Sequence, residues 1–165
     1  MSSKPNSPGE RLIATNPNAK QNYQWLELVE AGLVLTGTEI KSIRNQSPNL
    51  RDAFVEITGQ GASRGKLEAW LLNMHVGPYS HGNIWNHEPL RRRKLLLHRH
   101  QIEKIFGAIT QKGLTAIPTR LYFKGGMVKA EIAIARGKKA EDKRDDIKRK
   151  TAEREMEQAL KQSRR

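Results

Sequence analysis

The chain has 165 residues and a formal net charge of +13, from 30 Lys and Arg against 17 Asp and Glu. This length suits one domain of about 130 residues with an appendage, and two full domains do not fit. The excess of positive charge favours a polyanionic partner, with nucleic acid as the leading class. The absence of cysteine excludes disulfide bonds and thiolate chemistry, and the sequence offers no apolar run long enough to span a membrane.

The N-terminal residues 1–13 are predicted to form a flexible arm. Residues 1–9 are polar and lack the apolar stretch of a secretory signal, so a cytoplasmic location is expected. Residues 14–135 are then expected to fold as a domain, and residues 136–165 to form a basic tail.

A strand followed by a short helix is predicted near the start of the domain. Residues 22–29 mix aromatic and aliphatic side chains and continue to Leu35, a pattern typical of a strand. Thr36 and Glu39 form a capping-box pattern, which indicates a helix from there to about Asn45.

The two faces of this helix differ in character. Ile40 and Ile43 are three residues apart and predict a packed face. Lys41 and Arg44 have the same spacing and predict a positively charged face that suits RNA.

Two further strands are predicted over residues 50–58 and 66–74, joined by a glycine-rich loop. No helix follows those glycines, which argues against a dinucleotide-binding turn. Residues 77–89 are rich in Gly, Pro, Asn, Ser and His and predict a long connection.

A second helix is predicted over residues 98–113 and a β-hairpin over residues 114–135. Helical periodicity and a terminal Gly113 indicate the helix. Alternating apolar residues in 127–135 and the Lys-Gly-Gly turn before them indicate the hairpin. The helix face comprises Ile102, Ile105, Phe106 and Ile109.

Short antiparallel strands with interspersed helices predict a mainly β fold. We expect a β-barrel of the oligonucleotide-binding type, because closure removes exposed strand edges. The tail has too little apolar content to build a core, and we expect it to be disordered alone and helical on a charged surface. Its helix potential comes from the i,i+4 pairs Asp145–Arg149, Asp146–Lys150 and Glu157–Lys161.

Several motifs leave alternatives open. The cations of residues 91–94 favour phosphate binding over a merely solvated charge run. Exposed aromatic residues could stack on unpaired bases, and Trp85, in the long connection, is the least explained of them. His75, His81 and His87 raise the alternative of a small histidine-dependent ribonuclease, although their spacing does not indicate a metal site. A general RNA-binding or ribosomal protein fits the same charge.

A set of ordered motifs resembles the small protein B family of SsrA-binding proteins. These motifs are Glu30-Ala31-Gly32-Leu33, Gly37-Thr38-Glu39-Ile40-Lys41-Ser42-Ile43-Arg44, Asn49-Leu50-Arg51-Asp52, Pro78-Tyr79, Asn86-His87-Glu88-Pro89, Arg93-Lys94-Leu95-Leu96-Leu97-His98, Lys112-Gly113, Leu121-Tyr122-Phe123, Ala135-Arg136-Gly137-Lys138-Lys139 and Asp142-Lys143-Arg144. The resemblance implies an oligonucleotide-binding-type barrel with three small helices and a basic tail.

By the same resemblance, the chain is expected to bind the tRNA-like domain of transfer-messenger RNA. It would deliver that RNA to the vacant A site of a stalled ribosome in trans-translation, as a monomer, with no cofactor, metal or catalytic residue and no membrane partner. The implied RNA-binding residues are Asn16, Lys20, Tyr23, Glu30, Lys41, Arg44, Arg93, Lys94, Leu96 and His98. The implied ribosome-binding residues of the tail, near the decoding centre and its ribosomal RNA, are Gly137, Lys138, Lys139, Asp142, Lys143 and Arg144.

Two positions depart from the family pattern. Pro17 stands where a basic residue is usual, and Glu141 stands where an aromatic residue or histidine commonly precedes Asp142. A stacking contact at position 141 is therefore not expected.

Overall fold

The computed structural model describes residues 9–59 and 65–163. The strands are β1 (Glu10–Thr15), β2 (Tyr23–Leu33), β3 (Phe54–Thr58), β4 (Glu68–Leu72), β5 (Arg93–Leu96), β6 (Thr115–Lys124) and β7 (Met127–Gly137). The helices are α1 (Pro17–Asn22), α2 (Gly37–Asn45), α3 (Arg99–Lys112) and α4 (Ala140–Ser163), with a 3-10 turn at Asn83–Trp85. None of these helices is both long and apolar enough to cross a membrane.

The strands form one antiparallel sheet in the order β1-β6-β7-β2-β5-β4-β3. This confirms the mainly β class with short helices and a basic tail. Within the described ranges β1 and β3 are not paired, so the expected closure into a barrel is wrong. The sheet curls instead until β3 contacts β6. A register shift between Leu12 and Ala14 in β1 makes that edge a poor template for another strand, so closure is not needed to protect it.

The inward residues of the curled sheet form the main core. Val128, Ala130, Ile132 and Ile134 are all buried, which confirms the alternation predicted for this strand. Helix α3 covers the core with Ile105, and it ends at Gly113 in the left-handed conformation, with φ of 59°. Phe106, predicted on the same face, is 39% exposed and lies at its margin.

Helix α2 begins as its capping box predicts. The Thr36 N–H donates to Glu39 Oε2 at 2.8 Å, which satisfies one of the unpaired donors at the helix start. Ile43 is buried and Lys41 and Arg44 are exposed, so the two predicted faces are present.

Part of the predicted N-terminal arm is a strand. Glu10–Thr15 pairs with β6, so the prediction of a flexible arm is wrong for residues 10–13, while residues 1–8 lie outside the described ranges. The Glu10 side chain is only 5% exposed and lies 3.7 Å from the Arg120 guanidinium. This buried ion pair gives the strand a polar anchor that hydrophobic periodicity does not reveal.

The described part of the tail forms helix α4, in agreement with the helix potential of its i,i+4 pairs, and that it is disordered alone stays a prediction. Strand β7 extends through Gly137, and the Lys138 N–H donates to the Asn22 carbonyl at 2.9 Å. The Lys138 ammonium then pairs with Asp146 in the second turn of α4. This contact, together with Glu141 and Asp142 at the positive end of the helix dipole, supports a helix that buries little apolar surface.

Candidate nucleic-acid interface

Four predicted RNA-binding residues line one groove. It has a volume of about 600 Å³ and lies between β2, β5 and the start of α3, with Glu30, Lys94, Leu96 and His98 among its lining residues. Lys129 of β7 also lines it. We call this the interface groove. Its walls combine two carboxylates, three ammonium groups, an imidazole and an exposed leucine.

Glu30 is held in place by two donors on β6. Its Oε2 accepts from the Tyr122 hydroxyl at 2.5 Å and from Lys124 Nζ at 3.0 Å. The hydrogen bond from Tyr122 is the largest influence on the pKa of Glu30, and with Lys124 and Lys129 it outweighs desolvation and holds that pKa below its ordinary value. Glu30 is therefore an ionised, oriented acceptor that repels phosphate and accepts from base or ribose donors.

Leu96 reaches the groove because β2 and β5 approach closely. Gly32 stands opposite Leu96 in the ladder, and a Cβ on Gly32 would lie 3.1 Å from the Leu96 Cβ. Leu96 is 56% exposed. His98 precedes α3 as its N-cap residue and stacks on His100, with ring centroids 5.7 Å apart. The side chains of Leu96 and His98 each offer a surface on which a nucleobase can pack.

Arg93 has a structural role, and its burial contradicts the predicted RNA contact. The side chain is completely buried, and its guanidinium donates to Glu39 Oε1 at 2.8 Å and to the Met74 carbonyl at 2.6 Å. It is the only fully buried arginine in the described ranges. RNA cannot reach this guanidinium without disruption of the core.

The basic run that includes Arg93 is internally compensated, which weakens its interpretation as a phosphate-binding strip. Each of its four cations has an acidic partner. The pairs are Arg91 with Glu39 at 2.8 Å, Arg92 with Glu56 at 3.5 Å, Arg93 with Glu39 at 2.8 Å and Lys94 with Glu68 at 2.6 Å. Lys94 still lines the interface groove, where an RNA phosphate would compete with Glu68 for its ammonium group.

Asn16 is also structural, in place of the predicted RNA contact. It is 6% exposed and caps α1, where its Oδ1 accepts from the Asn18 and Ala19 N–H groups. Its Nδ2 donates to the Pro118 carbonyl at 2.9 Å. Pro17 follows at the first helical position, where its missing N–H costs nothing, so its departure from the family pattern suits α1.

Lys20 and Tyr23 lie apart from the interface groove, at the root of the tail. Tyr23 pairs with Gly137 at the far end of β2, and Glu30 is about 23 Å along the strand at the usual rise per residue. The Lys20 side chain is exposed, and its carbonyl accepts from Lys138 Nζ at 3.1 Å. These residues form a second location, continuous with the start of α4.

Lys41 and Arg44 occupy a third location, on the exposed face of α2. The Lys41 ammonium lies over the Tyr79 ring, 5.5 Å from its centroid. Arg44 lines a small cleft with Arg11 and Phe123. The structure thus distributes eight of the ten predicted RNA-binding residues over three surfaces, of which the interface groove holds four, while Asn16 and Arg93 are buried.

The six predicted tail residues lie where the domain meets α4. Gly137 ends β7, Lys138 bonds back to α1 and Asp146, and the Lys139 N–H donates to Asp142 Oδ2 at 3.2 Å. Lys143 and Arg144 follow in the first two turns of the helix. This arrangement places Lys138, which precedes the acidic first turn of α4, beside Lys20.

The histidines of the long connection make structural contacts. His87 Nε2 donates to the Val76 carbonyl at 3.1 Å, and its Nδ1 lies 3.0 Å from the Thr38 hydroxyl. His81 Nδ1 lies 3.0 Å from the Ser80 hydroxyl. Within residues 9–59 and 65–163, no group of three or more His, Asp or Glu side chains could hold a metal ion. No observation favours the ribonuclease alternative.

Comparison with known proteins decides the family. The SmpB protein model matches residues 13–162 of the chain. The chain belongs to the SmpB family. A relative named SsrA-binding protein, from Thermoanaerobacter pseudethanolicus, is 50% identical over 152 residues, which cover 92% of this chain and 93% of the relative. The SsrA-binding protein of Trichodesmium erythraeum is 48% identical over 160 residues, which cover 96% of this chain and 98% of the relative.

A solved structure also resembles this SmpB family member. It is described as "tmRNA-SmpB: a journey to the center of the bacterial ribosome", and one of its chains is 39% identical to this one. The TM-score is 0.60, and the match covers 78% of this chain and 85% of that chain. The sequence motifs and the fold therefore indicate the same family.

Lys129, which lines the interface groove, and Tyr122, which donates to Glu30 without lining the groove, were not among the RNA-binding residues implied from the sequence of this SmpB family member. Tyr122 is 2% exposed, and the sequence indicates only an aromatic residue in a strand; its hydroxyl contact with Glu30 spans 92 positions. Lys129 faces the groove from β7, opposite Gly32 in the ladder. The sequence did offer a signal for Lys129, because it alternates with the apolar residues Val128 and Ala130. Successive side chains of a strand point to opposite faces, so Lys129 is expected on the face away from the core.

Proposed function

We propose that this chain binds the tRNA-like domain of transfer-messenger RNA and delivers it to stalled ribosomes. It acts in trans-translation in the cytoplasm, as a binding protein that catalyses no covalent step. The match of the SmpB family model to residues 13–162 carries this proposal. It is supported by relatives named SsrA-binding protein and by the likeness to a chain described with tmRNA and the bacterial ribosome.

The interface groove supports recognition of a folded RNA beyond general charge attraction. A net charge of +13 supplies affinity for phosphate that falls with salt and carries little sequence information. Glu30 adds selectivity, because an ionised carboxylate is favourable only where the RNA presents a donor. Lys94, Lys129 and His98 surround it with positive charge or donors for the neighbouring backbone.

The tail supports the ribosomal part of the proposal. Helix α4 carries many lysines and arginines, and almost all of its side chains are exposed. Gly137, Lys138, Lys139, Asp142, Lys143 and Arg144 form the proposed contact with ribosomal RNA near the decoding centre. Within α4 itself, seven lysines and arginines are balanced by seven aspartates and glutamates, so the excess positive charge of the tail lies outside the helix, at residues that include Arg136, Lys138 and Lys139. These cations suit a channel lined with phosphate, since the RNA supplies the countercharge.

Binding of the purified chain to the isolated tRNA-like domain tests the proposal. At physiological salt, we expect tight binding that a same-length unrelated hairpin does not displace. Glu30→Ala should weaken it about tenfold or more, since hydrogen bonds to charged groups contribute about 1.5–3 kcal/mol.

Glu27→Ala is the matched control for this experiment. Glu27 lies on the same strand, is equally exposed at 42%, and pairs with Lys104 away from the interface groove. We expect it to bind as wild type does. Equal and strongly salt-dependent binding to both RNAs would instead make the chain a general RNA-binding protein.

Tyr122→Phe tests whether the orientation of Glu30 matters. This change removes only the hydroxyl, so the ring stays packed while Glu30 loses a donor. We expect affinity for the tRNA-like domain to fall about fivefold, less than for Glu30→Ala, because the carboxylate remains and loses only a donor that orients it. The pKa of Glu30, followed by NMR of its carboxyl carbon, should rise toward its ordinary value. An unchanged affinity together with a raised pKa would show that RNA binding does not depend on the orientation that Tyr122 gives to Glu30.

A further inference from the structure

The connection between β4 and β5 displays an indole to solvent. Trp85 is 82% exposed, in a 3-10 turn. The other two tryptophans have intramolecular partners, since Trp25 Nε1 donates to the Ala19 carbonyl at 2.9 Å and the Arg92 guanidinium lies 4.5 Å from the Trp70 ring centroid. The fold thus leaves one large aromatic surface in water, where burial of its area would be favourable.

The turn that carries Trp85 is fixed by hydrogen bonds. Asn86 bridges the backbone of Tyr79, accepting from its N–H at 2.9 Å and donating to its carbonyl at 2.8 Å. Two successive turns connect Tyr79 to Gly82 and Gly82 to Trp85, with N···O distances of 2.9 and 3.0 Å. An aromatic side chain on such a turn needs little ordering when a ligand binds.

The same turn is attached to the cationic face of α2. Ser42 donates to the Gly77 carbonyl at 2.5 Å, and the Lys41 ammonium lies 5.5 Å from the Tyr79 ring centroid. Since each turn brings its ends within about 7 Å, the Cα atoms of Tyr79 and Trp85 are less than about 14 Å apart. We call Lys41, Tyr79 and Trp85 the loop–α2 surface.

We propose that the loop–α2 surface binds single-stranded RNA, with an unpaired nucleobase stacked on Trp85 and a neighbouring phosphate at Lys41. Exposed aromatic rings next to cations are how proteins hold single strands, because every base offers a π face and every linkage a phosphate. This goes beyond the proposed function, since Trp85 and Tyr79 are not among the RNA-binding residues that the family resemblance implies, although Lys41 is, and none of the three lines the interface groove. An anionic membrane would also attract an indole beside a lysine, and Ile84 next to Trp85 is 87% exposed, so lipid vesicles are included in the test.

An eight-nucleotide oligoadenylate RNA is the probe, with a blunt RNA duplex of equal charge as competitor. Stacking of one base predicts that Trp85→Ala weakens oligoadenylate binding about five- to tenfold and that Trp85→Phe restores most of it. Leu90→Ala is the control, because Leu90 is apolar and 54% exposed in the same connection but carries no ring. Binding of Trp85→Ala equal to wild type overturns the proposal, as does binding through Trp85 to phosphatidylglycerol vesicles without binding to the RNA.

Failure of this inference is distinguishable from failure of the proposed function. Glu30→Ala should leave oligoadenylate binding unchanged while it weakens binding to the tRNA-like domain. If the tRNA-like domain shows no preference over the unrelated hairpin but Trp85→Ala still weakens oligoadenylate binding, only the proposed function is wrong.

Discussion

Glu39→Gln should lower the free energy of unfolding by about 3–5 kcal/mol, the usual cost of removing one member of a buried ion pair. The Glu39 side chain is completely buried, and its carboxylate accepts from Arg93 Nε at 2.8 Å and Arg91 Nη2 at 2.8 Å. Glutamine keeps the shape but leaves the buried guanidinium of Arg93 without a countercharge. Urea unfolding followed by tryptophan fluorescence measures the loss.

The effect should be confined to the buried pair. Glu68→Gln removes the acidic partner of Lys94, where both side chains are about one-third exposed, and we expect almost no change in the urea midpoint. Equal urea midpoints for Glu39→Gln and wild type would mean that the cluster of Glu39, Arg91 and Arg93 does not stabilise the fold.

The same cluster predicts a dependence of stability on acid. Desolvation would raise the pKa of Glu39, but hydrogen bonds from Arg91 and Thr36 and the charges of both arginines outweigh it and hold the pKa below 4.5. A lowered folded-state pKa contributes stability that is present above about pH 4.5 and lost as the pH falls below it. The difference in stability between wild type and Glu39→Gln should therefore shrink as the pH falls below about 4.5.

Local sequence patterns predicted the elements that depend on near neighbours. The hairpin of β6 and β7 needs only a short turn and an alternating strand, and α3 needs only a periodic face and Gly113. Helix α2 was identified from a capping box whose members are three residues apart. Each of these signals acts within a dozen residues, which is the range that periodicity and capping describe.

The missed elements depend on distant partners. In β5 the inward positions are Arg93 and Leu95, so a charged residue stands where the alternation of a strand calls for an apolar one. Arg93 is tolerated there because Glu39, 54 positions earlier, neutralises it, and no local pattern shows that pairing. Helix α1 has six residues, too few for a periodic face, although Asn16 and Pro17 are a helix start signal.

The residues of the candidate site also fall into those that the sequence could identify and those that require the fold. Residue types identified exposed cations such as Lys41, and the family resemblance identified Glu30. Neither could separate Arg93 from Lys94, which are adjacent in sequence but face the core and the interface groove respectively. That distinction requires the strand register, which the three-dimensional fold determines.

A chain that ends after Lys139 should bind the tRNA-like domain within about twofold of the full chain, as expected when only surface contacts are lost. We nevertheless expect the shortened chain to support no peptide tagging, because it lacks Asp142, Lys143 and Arg144. A cut after Ala135 is less suitable, because Arg136 and Gly137 still pair with Gln24 and Tyr23 in the sheet. Beyond Lys139 the chain enters α4, whose described side chains are almost all exposed, so its removal uncovers little of the core.

RNA affinity and peptide tagging are measured on the same preparations of the shortened and full chains. Affinity is compared at physiological salt, because loss of the basic tail weakens general attraction to RNA at low salt. Tagging is followed in reconstituted translation on a message without a stop codon. Glu157→Gln, which breaks only the exposed pair with Lys161, should tag as the full chain does. If the shortened chain also supports tagging, the folded domain alone carries the ribosomal step, and Asp142, Lys143 and Arg144 have no part in it.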